Sequence, residues 1–245
     1  MEKSLHLIVG AVVASGLTSI ASSDIVAPAF HFSLSTVGNT GVTQDAANFG
    51  SVIHTNPTEW LYHGSMSQSD MGSLSWAYLV DPDPYITGTV SLTNTTATSQ
   101  SYVLDFTLNI TPALIDGSYI AGQANGTITD ANGNGSATVA SSGSTPIYSA
   151  LGDGAFIQGL MSNASQSVSN PFGTASFSGG SFGYPINTLM GPAINSTIGI
   201  RFAFSLTAGD SVSFSSIFIA NPVPAPGALT LMVGAGLAGF GRRRR

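Results

Sequence analysis

Large apolar residues recur at every second position along most of this chain, and a period of two suits only an extended backbone with one face buried. Tyr102, Leu104, Phe106, Leu108 and Ile110 alternate with Val103, Asp105, Thr107 and Asn109. Ile198, Ile200, Phe202, Phe204 and Leu206 alternate with Gly199, Arg201, Ala203 and Ser205, as Phe30, Phe32 and Leu34 do with His31 and Ser33. Leu74, Trp76 and Tyr78 repeat the pattern. From Asp210 to Ala220 the apolar parity changes, from Val212 and Phe214 to Ile217 and Ile219, which predicts a β-bulge near Ser215 and Ser216. Ala208-Gly209-Asp210 is short enough to make the last two strands a hairpin. Asp81-Pro82-Asp83-Pro84, Asp116-Gly117, Asn125-Gly126, Asn132-Gly133 and Asn134-Gly135 supply turns between the runs. Only Gln44 to Phe49 and Leu160 to Ser167 read as short helices. The expected fold is all-β: a single antiparallel β-sandwich, jelly-roll-like, over residues 22–221.

Charge narrows the partners. Between residues 22 and 226 eleven carboxylates face one cation, Arg201, a net charge of −10 with histidine neutral. Such a surface repels phosphates, so nucleic acid is excluded as a partner. The chain has no cysteine, which rules out disulfides, thiol catalysis and cysteine-ligated metal. Serine, threonine, glycine and asparagine take the places charges usually fill, a habit of secreted β-proteins.

Both ends carry address-like patterns. Lys3 precedes an apolar run from Leu5 to Leu17, and Ser19-Ile20-Ala21 places small residues where a signal peptidase checks them. A signal helix over 1–21 and a mature chain beginning at Ser22 are expected. Residues 222–245 divide into three parts: a stiff spacer with Pro222, Pro224 and Pro226, a charge-free segment from Gly227 to Phe240, and Arg242, Arg243, Arg244 and Arg245. An apolar run stopped by a cationic cluster is a stop-transfer pattern, here a short apolar helix acting as a membrane anchor. Fourteen residues at ~1.5 Å each give about 21 Å, short of the ~30 Å hydrocarbon core, which suits a temporary hold.

This tail resembles the PEP-CTERM sorting signal of exported bacterial proteins, with Pro224-Ala225-Pro226 in the motif position and Ala225 where that family usually has Glu. The resemblance covers residues 222–245. It implies cutting near the motif by an exosortase-type membrane peptidase, with transient inner-membrane anchoring followed by delivery to the cell surface or matrix. The segment from Val90 to Phe106 is loosely similar to a strand–loop–strand common in the cargo domains of such proteins, which implies no activity.

Candidate chemistry is sparse. Asp130-x-Asn132-x-Asn134-Gly135-Ser136 opens like a calcium loop, with oxygen ligands at alternate positions, but its twelfth position is Ser141 rather than Glu. Its flanks, Thr127 to Thr129 and Ala137 to Val139, read as paired strands, so a plain hairpin loop stands beside a weak calcium site. Gly179-Gly180-Ser181-Phe182-Gly183 matches a nucleophile elbow, yet Pro185 blocks the helix that motif needs. His54, Glu59 and His63 have no helical ligand spacing, and Asp81 with Asp83 reads as a turn rather than a glycosidase pair. Six Asn-x-Ser/Thr sites, at Asn94, Asn109, Asn125, Asn134, Asn163 and Asn195, permit glycosylation.

The sequence therefore reads as a non-catalytic, exported cell-surface or extracellular-matrix protein without a cofactor. Its expected partners are the export machinery, signal peptidase, an exosortase-type peptidase and the membrane through its tail. The alternative is a secreted carbohydrate-binding module or hydrolase acting on extracellular polysaccharide. An exposed platform of Trp60, Trp76 or tyrosines would favour sugar binding, and convergent carboxylates in a cleft would favour hydrolysis.

Overall fold

The computed structural model describes residues 26–41, 43–186 and 188–224. The expected signal helix, the apolar segment Gly227 to Phe240, Ala225, Pro226 and the four arginines lie outside the described residues.

Two antiparallel sheets face each other. One is built from β1 (Phe30–Thr36), β2 (Gln44–Asp45), β7 (Gln100–Asn109), β9 (Ala137–Ser141), β10 (Tyr148–Gly152), β11 (Ala155–Leu160), β12 (Ser165–Val168) and β15 (Thr197–Leu206). Its order is β11-β10-β15-β7-β1-β2, with β9 pairing both β15 and β12. The other holds β3 (Gly50–Asn56), β4 (Glu59–Gln68), β5 (Gly72–Asp81), β6 (Tyr85–Thr93), β8 (Ser118–Thr129), β13 (Thr174–Phe182), β14 (Leu189–Gly191) and β16 (Ser211–Pro222). Its order is β13-β8-β16-β6-β5-β4-β3, with β14 also on β8. The chain is thus all-β, with two antiparallel sheets consistent with a sandwich.

Alternation sets which face is buried. Phe30, Phe32, Leu34, Leu74, Trp76, Tyr78, Tyr102, Leu104, Phe106 and Leu108 all point inward, and so do Ile198, Ile200, Phe202, Phe204 and Leu206. Aromatic rings zip the sheets together. Phe202 stacks on Phe214 at 4.7 Å, Tyr78 meets Phe106 at 4.4 Å, and Phe32 meets Trp76 at 4.5 Å, each pair joining one sheet to the other. β15 is central, flanked by β7 on one side and by β9 and β10 on the other. On its opposite face Arg201 forms a two-pronged ion pair with Asp105, Nε to Oδ1 at 2.6 Å and Nη2 to Oδ2 at 2.9 Å.

Several expectations are corrected. The last two strands are no hairpin: β15 belongs to one sheet and β16 to the other. Likewise β8 and β9, which flank residues 130–136, lie in different sheets, so that loop is a crossing between layers. No bulge interrupts β16; its register runs unbroken against β6 and β8 and leaves Ile217 and Ile219 on the outer face. Ser216 points inward in their place. It sits in a row with Gly88 and Ala124, all small, beneath the ring of Tyr78. A Cβ on Gly88 would come 2.7 Å from Tyr78 Cδ1, so bulk in that row would displace the ring. The segment Leu160 to Ser167 makes the end of β11 and the start of β12 rather than a helix, whereas Ala46–Phe49 does form a 3-10 turn, capped by Asp45.

The membrane expectation is also corrected. Among the described residues no helix is long and apolar enough to cross a membrane. That finding removes the transmembrane anchor and the transient inner-membrane stage from the account. A segment of only fourteen apolar residues was already too short for a full span.

Candidate functional site

Three crossings between the sheets gather at one end of the molecule: residues 94–99, 130–136 and 207–210. The residues with the strongest chemical signal in the sequence are found here, and they hold the crossings to one another. Asn94 is fully buried. Its side-chain amide donates to the carbonyls of Thr98, Leu206 and Thr207 at 2.9–3.1 Å, and its Oδ1 accepts from the N–H and the hydroxyl of Thr96. Asn94 backbone N–H donates to the Asp210 carbonyl, and Gly209 N–H donates back to the Asn94 carbonyl. An amide so fully engaged is closed to glycan transfer in the folded chain.

Asp130 is also fully buried, and its carboxylate oxygens accept three backbone N–H groups: Gly133 at 2.9 Å, Gly135 at 2.7 Å and Phe172 at 3.2 Å. Asn132 Oδ1 accepts from Asn134 N–H, its amide donates to the Ala208 carbonyl, and Asn134 Oδ1 accepts from Ser136 N–H. Ser136 itself is exposed. The calcium-like spacing therefore places Asp130, Asn132 and Asn134 oxygens on backbone donors, the pattern of successive Asx turns. Among the described residues no three His, Asp or Glu side chains gather in one group.

Sequence reasoning missed the partner of Asp130. Asp210, from the third crossing, is fully buried against it. Thr207 donates its hydroxyl to Asp210 Oδ2, while Oδ1 has no hydrogen-bond partner. Burial, together with the neighbouring Asp130 carboxylate, holds the Asp210 carboxyl above the ordinary range, although the Thr207 hydroxyl works against that. Asp153 is the opposite case. Burial pushes its carboxyl up, but the N–H groups of Asn195, Ser196 and Thr197 and the Ser196 hydroxyl outweigh that and hold it well below the ordinary range.

The remaining sequence candidates stay apart or serve as turns. Asp81 Oδ1 accepts from Asp83 N–H at 2.9 Å, a rigid Asx turn. His54 stacks on Trp60 with ring centres 5.0 Å apart, Glu59 accepts from the Asn56 amide, and His63 pairs with Ser51 across the ladder. Ser181 lies within β13, which ends at Phe182 and is followed by bends rather than by the helix of a nucleophile elbow. Both tryptophans are buried, so neither forms a platform, and the neighbouring Asp130 and Asp210 are sealed from solvent. Pro224 is exposed just beyond β16.

No family model matches this chain, and no curated protein matches it either.

The outer face of the β16 sheet has two contrasting halves. Near the crossings it is a field of hydroxyls: Ser65, Ser75, Ser91, Ser213, Thr127 and Ser176 form one row across six strands. Open troughs of about 440 Å³ and 400 Å³ run along it, the first beside Asn125 and Ser215, the second between Ser67 and Thr93. Toward the other end of the same strands the outer face turns apolar, with Ile53, Leu61, Leu79 and Ile217 in one row and Tyr85 and Ile219 in the next.

Proposed function

We propose that this chain is an exported, non-catalytic protein of the cell surface or extracellular matrix, cut from its leader by signal peptidase and cut near Pro224-Ala225-Pro226 by an exosortase-type peptidase. One observation carries the non-catalytic part. The side chains with chemical potential, Asn94, Asp130, Asp153 and Asp210, are engaged in tying crossings and turns together. The address signals at both ends of the sequence carry the export part. Strands that switch sheets at three neighbouring crossings support a jelly-roll-like closure of the sandwich.

A second reading, a polysaccharide-binding module, is favoured by the hydroxyl troughs alone. Mass measurement of the protein recovered from its native host separates the main reading from its failure. A chain starting at Ser22 and lacking Arg242 to Arg245 is the expected product. A chain running from Met1 to Arg245 contradicts it. Retardation of the purified protein in polysaccharide-loaded gels, abolished by bulky substitutions at Ser213 and Thr127, would favour the second reading instead.

A further inference from the structure

The outer apolar band lies where an outer face should be polar. Ile217 and Ile219 occupy outward positions of a central strand, and Leu79 and Leu61 continue the Ile217 row through Thr87. Tyr184 lies beside Ile217 on the same face, and Met190, opposite Tyr119, is 70% exposed. Ile53 is 47% exposed and Ile217, Ile219, Leu61, Leu79 and Tyr85 are half-buried, so the strip is apolar and only partly covered, the kind of surface that another apolar segment can complete.

We propose that the band is the docking site of the chain's own apolar segment, Gly227 to Phe240. Three observations choose this occupant. First, β16 carries Ile217 and Ile219 and runs directly into Pro222 and Pro224, so the segment begins beside the band. Second, the reach fits. From β16 to β3 are four strand spacings, about 19 Å, and fourteen residues cover about 21 Å even if helical. Third, the charges complement. The row of Ile219 and Tyr85 continues to Asp81 on β5, with Glu59 at the start of β4 and Asp83 in the turn after β5, so carboxylates border the band two to three strands across from β16. The four arginines follow the apolar segment and meet that border, in a body whose one other cation, Arg201, already pairs with Asp105. Docking shields the segment from water and holds Pro224-Ala225-Pro226 at the edge of the body. It goes beyond the sorting proposal, because the contact requires no peptidase.

The absence of cysteine makes the test clean. A nitroxide is attached to the full chain at Ala235→Cys, and backbone amide signals are compared before and after the label is reduced. The expected result is loss of the Leu79, Tyr85 and Ile219 signals, with Ser213 and Thr127 unaffected. In the same labelled chain, Ile217→Ser with Ile219→Ser restores Leu79 and Tyr85 while the rest of the spectrum stays dispersed, since both side chains point outward. Undiminished Leu79 and Tyr85 signals in the parent overturn the proposal. So does loss that persists in the double variant. Loss seen equally when labelled chain is mixed with isotope-enriched unlabelled chain means that a second copy supplies the segment, which also overturns it.

Discussion

β15 and β16 follow one another through a four-residue turn and carry the same alternation of large apolar side chains, yet they end in different environments. β15 lies between β7 and β10 in one sheet, with its five large apolar residues all inside and the Asp105–Arg201 pair outside. β16 lies between β6 and β8 in the other sheet, sends Val212, Phe214 and Phe218 inside, and places two isoleucines outside. Alternation states which residues share a face. It states neither which sheet the strand joins nor whether the other face is wet.

The largest expected effects test the inner halves of both strands together. Phe204 and Phe214 touch across the sheets with ring centres 5.1 Å apart. Phe204→Ala and Phe214→Ala should each cost about 3–5 kcal/mol in chemical unfolding. The double variant should cost less than the sum, because each ring packs on the other. Full additivity would separate two strands that the fold places face to face.

Next is the turn between them. Asn94→Ala removes the donor for three carbonyls of the crossings and should cost about 2–4 kcal/mol. A loss under about 0.5 kcal/mol would show that these crossings are not tied through Asn94.

The pH dependence of Asp210 gives a smaller effect with a definite sign. Its carboxyl is raised in the folded chain by burial and by Asp130. Its contribution is therefore full below the unfolded value near ~3.9 and is lost as pH rises through the folded value. Asp210→Asn keeps a neutral donor beside Asp130 and should flatten that alkaline-side loss in unfolding free energy measured against pH. Asp153 has the reverse sign: its carboxyl is lowered, so its contribution is present above ~3.9 and fades as pH falls below it. An unchanged slope in Asp210→Asn would contradict the buried pair.

The smallest effects sharpen the comparison of outer faces. Ile200→Ser, inside β15, should cost at least about 3 kcal/mol, whereas Ile217→Ser, outside β16, should change stability by less than about 1 kcal/mol. Arg201→Ser should cost about 1 kcal/mol or less, since its ion pair is partly exposed. Equal losses at Ile200 and Ile217 would mean that β16 carries the bulge after all.

Much of this was legible in the residues. The inward sets of β1, β5, β7 and β15 follow from alternation, and Arg201 falls on the opposite face as its position requires. The turn role of Asp81-Pro82-Asp83 was readable from side-chain geometry. Strand partners were not, because a tight turn such as Ala208-Gly209-Asp210 serves a sheet crossing as well as a hairpin. The phantom bulge had a specific cause. Hydropathy alone points large apolar residues to the core, whereas the space beneath β16 at Ser216 is taken by the ring of Tyr78, and two continuous ladders hold the register. The acidic pair was hidden for a related reason: Asp130 and Asp210 are eighty positions apart and meet only because their crossings are neighbours.

Cross-strand proton contacts in the nuclear Overhauser spectrum of the full chain test this comparison most directly. The structure predicts contacts from Ser215 to both Thr89 and Asn125, and from Phe202 to both Leu104 and Tyr148, with none pairing the backbones of β15 and β16. Contacts pairing Leu206 with Ser211 and Phe204 with Ser213 in a regular ladder would make the two strands a hairpin and contradict the account.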